Sequence, residues 1–255
     1  MSRFAADEGS DLRLLTHHYY RECANPGSTL DKLLHPDPKL GPELIALRAA
    51  SSISRVPYRI CETNSLCGGG KPGVSDTFGA ALWVLDFMFS LAHNGCAGVN
   101  IETGVNQLGF ISWYSPIRQN EHGAYYAAPE YYGMLAFAQA SQGQIVAADC
   151  DPAGANVTAY AVADGRTGLA VTIINKDALL NADVSLSIPK ELSDGRVLRL
   201  SGASLEAKEG VTFGGLTVAA NGQWKSDAAE VIHVRGGRCA IQIRAGSAAV
   251  LKWTS

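Results

Sequence analysis

The chain has 255 residues, 47% hydrophobic and 18% charged, with a net charge of −3, a balance ordinary for a globular protein with a sizeable core. That charge, with a pI of about 6.1, leaves no basic stripe for a phosphate backbone, so no nucleic-acid partner is expected. No apolar stretch is long and unbroken enough to predict a membrane span, and the start turns acidic at Asp7-Glu8 where a signal peptide turns apolar.

In chain order, the first half alternates apolar runs with helical patterns, the signature of strand-helix units around a parallel sheet. Leu12 to Tyr20 reads as a strand. Leu30 to Ala50 has helical periodicity interrupted by Pro36, Pro38 and Pro42, so a broken helix is expected. Pro57 to Thr63 is the next strand, and Ser75 or Asp76 is the expected cap of a helix over Phe78 to His93 that stops at Asn94-Gly95. Gly98 to Glu102 reads as a third strand and Pro129 to Ser141 as a third helix, closed by Gly143. After Gln144 the pattern changes to Val-, Ile- and Thr-rich runs between Gly, Asp and Asn turns, which predicts an antiparallel β-sandwich. The expected organisation is therefore α/β over residues 1–143 and all-β over residues 144–255.

Six cysteines (Cys23, Cys61, Cys67, Cys96, Cys150, Cys239) form neither a CxxC pair nor a metal-finger spacing, and read mostly as small buried apolar residues. Glu62 ends an apolar strand directly before a polar and glycine-rich loop, the position where barrel enzymes keep catalytic groups. In Thr16-His17-His18-Tyr19-Tyr20, side chains alternate, so His17 and Tyr19 share one face and His18 and Tyr20 the other. One His-Tyr pair then faces the site, and a tyrosine hydroxyl beside a glutamate holds it ionised. The same alternation splits His17, His18, Glu22 and Cys23 as metal ligands, so no metal is expected. Gly68-Gly69-Gly70-Lys71 fails as a phosphate loop because Ser65 and Pro72 stand where that motif needs glycine and Ser/Thr. Its glycines instead allow backbone amides to approach a ligand.

Together, His17-His18-Tyr19-Tyr20, Glu62-Thr63-Asn64-Ser65, Gly68-Gly69-Gly70 and Ser75-Asp76-Thr77-Phe78 resemble the heparanase and β-glucuronidase group, glycoside hydrolase family 79. The resemblance continues into Leu169 to Asp177, which is similar to that family's C-terminal sandwich. It implies the C-terminal portion of a (β/α)8 barrel followed by an antiparallel β-sandwich, with Glu62 as nucleophile of a retaining mechanism. It also implies that His17, Tyr19, Gly68, Gly69 and Tyr114 contact substrate, a glucuronide or uronate-containing glycan. No organic cofactor is implied, since two carboxyl groups suffice.

Such a mechanism needs a second carboxyl group about 5 to 5.5 Å from the first, which the family carries in an Asn-Glu pair on an earlier strand. Asn120-Glu121, the only Asn-Glu here, falls after the last parallel strand, in a polar loop. The expectation is that barrel strands upstream of Met1 supply the acid/base, or that self-association covers the sheet edges, and that this chain alone is inactive. The parent enzyme is then secreted or periplasmic, its leader preceding those strands. The alternative is a non-catalytic carbohydrate-binding or structural remnant.

Overall fold

A computed structural model describes residues 2–105, 112–165, 168–226 and 230–253. It is a mixed α/β structure. The first part runs α1 (Ser2–Glu8), β1 (Leu15–Tyr19), α2 (Leu30–Leu34), α3 (Leu40–Ser54), β2 (Tyr58–Thr63), α4 (Phe78–His93) and β3 (Val99–Ile101). A hairpin of β4 (Ile117–Gln119) and β5 (Tyr125–Ala127) then leads into α5 (Pro129–Ala140). The remainder is β6 (Gln144–Val146), β7 (Val157–Asp164), β8 (Gly168–Asn175), β9 (Ala182–Ser187), β10 (Gly195–Ser201), β11 (Thr212–Phe213), β12 (Val231–Ile232), β13 (Arg238–Ile243) and β14 (Ser247–Trp253).

Strands β1, β2 and β3 form a parallel sheet in that order, so each crossover is a helical connection. The proline-rich stretch separates α2 from α3, as the interrupted periodicity predicts. The antiparallel strands form a second sheet in the order β11-β10-β14-β8-β7-β6, with β12 also on β10. The β9-β13 ribbon packs on one face of it: Cys239, Ile241 and Ile243 meet Ile173, Leu251 and Trp253.

Helix α4 joins the two sheets. It is apolar nearly all round, which in a water-soluble setting requires burial on opposite sides. Leu82, Leu85 and Phe89 pack with Ile174, Leu200 and Val250 of the antiparallel sheet, while Phe87 and Leu91 pack with Tyr19, Tyr58 and Ile60 of the parallel one. Each such side chain contributes about 1.5–3 kcal/mol. Helix α5 lies against α4 through Gly133, where an added Cβ would stand 2.1 Å from the Ala81 carbonyl oxygen.

Two local expectations are corrected. The cap of α4 is Thr77, and no side chain caps it: the Phe78 and Gly79 amides donate to the carbonyls of Ala207 and Leu205 at 2.7 and 2.8 Å. Ser75 accepts from Ser65 Oγ and the Lys71 amide instead, and Asp76 pairs with Lys208 at 2.9 Å. The cysteines are not mostly buried and apolar, since Cys23 and Cys67 form a disulfide and, of the others, only Cys239 is buried. Local spacing could not reveal a pair that parallel pairing brings together from 44 residues apart.

Candidate active site

Strands β1 and β2 end on the same side of the parallel sheet, and the loops leaving them are tied to each other. Beyond the Cys23–Cys67 disulfide, the Cys67 amide donates to the Glu22 carbonyl at 3.0 Å and the Ala24 amide to the Cys67 carbonyl at 3.2 Å. Lys71 donates its ammonium to the carbonyls of Asn25, Pro26 and Ser28. Gly68, Gly69 and Gly70 all have φ between 78° and 88°, the left-handed region that favours glycine. At Gly70 a Cβ would also meet Ser75 Oγ at 2.7 Å.

Glu62 is aimed by an irregularity in the pairing. Regular alternation from Tyr58 and Ile60, both buried toward α4, would turn Glu62 into that core. The register shifts between His17 and His18, so His17 pairs with Ile60 and His18 with Glu62. A one-residue slip exchanges the faces of every following side chain. Glu62 is thereby turned to the open face, where its side chain is 38% exposed.

The face it joins is that of His18 and Tyr20. The Tyr20 hydroxyl donates to Glu62 Oε1 at 3.3 Å, and His18 Nδ1 lies 3.3 Å from Oε2. Burial pushes the Tyr20 phenol above its ordinary range, with Tyr114 and the Glu62 charge adding to it, so it stays a donor at neutral pH. Tyr114, 4% exposed, is hydrogen-bonded to Tyr20 and accepts from the Gly69 amide; burial raises its pKa and the charge of Glu102 raises it further.

Of the expected contact residues, Tyr114 and Gly69 therefore join the Glu62 cluster, though the Gly69 amide is engaged by Tyr114 and its carbonyl accepts from the Trp113 amide at 2.7 Å. Gly68 lies in the same loop. His17 and Tyr19 do not join. His17 Nε2 lies 3.2 Å from Glu43 on α3, and the buried Tyr19 donates to Asp37 and stacks on Phe87. Both lie on the helix side, where Tyr19, Asp37, Trp83 and Asp86 line a separate cavity of about 280 Å³. Glu121 is solvated at the hairpin turn, beside His122.

Three further residues complete the site. Asn64, wholly buried, donates its Nδ2 to the Glu102 carbonyl at 2.8 Å. Glu102 follows β3, its amide donating to the Thr63 carbonyl at 2.8 Å; its carboxylate has no hydrogen-bond or ion-pair partner among the described residues. Glu130 at the start of α5 is buried behind Asn64. Parity would have found His18 and Tyr20 had the register shift been legible. Glu102 carried the same signal as Glu62, a carboxylate ending a parallel strand.

The β-rich part matches the glycosyl hydrolase family 79 C-terminal beta domain over residues 159–250. A β-glucuronidase of Neurospora crassa is 35% identical over 139 residues, 52% of this chain and 24% of that protein. One from Aspergillus niger is 32% identical over 170 residues, 62% of this chain and 30% of that protein. The matched regions thus span well under half of these curated relatives. Among solved structures, a 4-O-α-L-rhamnosyl-β-D-glucuronidase from Fusarium oxysporum 12S superposes with a TM-score of 0.79 at 22% identity, covering 95% of this chain and 54% of that one. An α-L-arabinofuranosidase from Thermotoga maritima gives 0.68 at 13% identity, covering 98% and 54%. At these identities the likeness is one of fold.

Proposed function

We propose that this chain, which belongs to the glycoside hydrolase family 79 group, is the nucleophile-bearing part of a retaining hydrolase acting on β-glucuronides or uronate-containing glycans. The observation that carries the reading is the placement of Glu62 at the end of β2, with the Tyr20 hydroxyl on one carboxylate oxygen and His18 beside the other. A hydrogen-bond donor on one carboxylate oxygen fixes the direction in which the carboxylate points. In the first step Glu62 attacks the anomeric carbon, forming an ester as the glycosidic C–O bond breaks and the leaving oxygen takes a proton from an acid. In the second, water attacks the anomeric carbon and gives its proton to the same group, now a base; the bond to Glu62 breaks, releasing the sugar and restoring the carboxylate.

The reading places the acid on barrel strands upstream of this chain, with residues 1–143 as the last barrel units and 144–255 as the β-sandwich. Among the described residues, β1 and β3 each leave one edge unpaired, and exposed edges of a parallel sheet call for covering. The span of the relatives agrees with it. The test is Glu62→Gln in the full-length gene product assayed on an aryl β-glucuronide, with an activated 2-fluoro-glucuronide as trap. The expected result is loss of turnover at an unchanged unfolding midpoint, and a wild-type adduct on the peptide holding Glu62. Turnover by the variant at the wild-type rate refutes the assignment. Calorimetric binding of glucuronic acid without hydrolysis by the wild type replaces it with a non-catalytic binding role.

A further inference from the structure

Three charged residues are buried among those described: Asp76, Glu130 and Lys176. Asp76 pairs with Lys208 and Lys176 with Asp86, whereas Glu130 has no cation beside it. It lies one residue inside α5, behind Pro129, and is 2% exposed. Its Oε2 accepts from Asn64 Nδ2 at 3.4 Å, and its Oε1 is buried without a partner.

The group it touches is a junction. Asn64 stands two residues after Glu62, and the same Nδ2 reaches the Glu102 carbonyl at 2.8 Å and the Tyr114 carbonyl at 3.5 Å. Its Oδ1 accepts the Ser65 amide at 2.6 Å. One carboxamide thus links the end of β2, the end of β3, the Tyr114 segment and α5. Tyr114 in turn touches Tyr20, the donor to Glu62.

We propose that Glu130 is a positioning residue, whose carboxyl group locks the Asn64 carboxamide and through it the strand end and tyrosine pair that present Glu62 to a substrate. Burial pushes the Glu130 carboxyl well above the usual carboxylate range, opposed by the Asn64 donor. A buried polar group with an unmade hydrogen bond is costly, and a leucine would fill the space without that cost. Local conflicts of this kind collect at functional sites.

The inference rests on the Glu62 reading, and the experiment separates the two. In the full-length protein, Glu130→Leu is expected to lower kcat about tenfold with KM unchanged, the value of one hydrogen bond. Glu130→Gln, which keeps an acceptor for Asn64, recovers most of that loss. Amide exchange at Ser65 accelerates in the leucine variant and not in the glutamine variant, with exchange in β8 unaltered. Equal losses in both variants, a full rate in the leucine variant, or unaltered Ser65 exchange overturns the proposal. Should Glu130→Leu not fold, Asn64→Ala attacks the same link from its other end, and a wild-type kcat there overturns it too. Glu62→Gln serves as the control. An inert control beside a full-rate Glu130→Leu sinks the positioning role alone, whereas an active control sinks the Glu62 reading itself.

Discussion

The polar cluster inside the α4 interface gives a stability prediction that depends on no functional reading. Lys176, its side chain 4% exposed, places Nζ 2.5 Å from Asp86 Oδ2, while Oδ1 accepts from Thr158 Oγ1 at 2.6 Å and from the Tyr160 hydroxyl at 2.8 Å. The two halves of the pair are unequal. Asp86→Ala leaves a buried ammonium without its carboxylate, the situation that costs about 3–5 kcal/mol. Lys176→Met leaves Asp86 with two hydroxyl donors and a side chain 21% exposed, so the loss is nearer that of one charged hydrogen bond, about 1.5–2 kcal/mol. The double variant removes both charges and should cost less than the sum, by a coupling of about 1–3 kcal/mol. Urea unfolding at pH 7, with a constant m-value checked across the set, reads all four states. Equal costs for the two single variants, the reverse order, or strict additivity would refute the claim that the buried ammonium depends on Asp86.

Tyr20→Phe should lower kcat about tenfold, while Tyr19→Phe, on the opposite face of β1, should cost about 1 kcal/mol of stability and leave the rate alone; steady-state kinetics with urea midpoints decide, and a rate loss in Tyr19→Phe would reverse the assignment of faces. Opening the Cys23–Cys67 bridge, whose partners are 44 residues apart, should cost up to about 4 kcal/mol on the chain-entropy argument. Reductant should then bring the wild-type unfolding midpoint down to that of Cys23→Ala/Cys67→Ala, and a midpoint insensitive to reductant counts against the bridge. Glu130 binds its proton more tightly folded than unfolded, so its contribution is fully present below the ordinary glutamate pKa and is lost as pH rises toward the folded value. Stability of the wild type relative to Glu130→Gln should fall upward from about pH 4.5, by at most about 1.4 kcal/mol per pH unit. A flat difference would mean the carboxyl is ionised in the fold.

Much of this architecture was legible because it rests on periodicity. The apolar run from Phe78 to His93 marks a helix with the bounds the structure shows, and the Val-, Ile- and Thr-rich runs after Gln144 mark strands of the antiparallel part. The short hairpin at Ile117 to Ala127 and the edge strand at Gln144 to Val146 are too brief to carry a period, and no signal announced them. The cap of α4 escaped for a different reason. Carbonyls of Leu205 and Ala207, more than a hundred residues downstream, satisfy its first amides, and local capping rules see only neighbouring side chains.

The face that holds Glu62 shows where one-dimensional reasoning fails most sharply. Alternation along Thr16 to Tyr20 correctly divides the residues into two sets, but it cannot say which set looks at Glu62, because that depends on the register with β2. One irregular pairing between His17 and His18 decides it, and it does so for both strands at once. It takes Glu62 out of the face that Tyr58 and Ile60 bury against α4, and it substitutes His18 and Tyr20 for His17 and Tyr19 as its neighbours. A bulge that re-aims a side chain at the end of a strand is a feature placed by tertiary packing. The buried carboxyl of Glu130 belongs to the same class. On the sequence it is an unremarked acid in the first turn of a helix, where the dipole alone would favour its charge. Only the depth of its burial and its contact with Asn64, two residues from Glu62, set it apart.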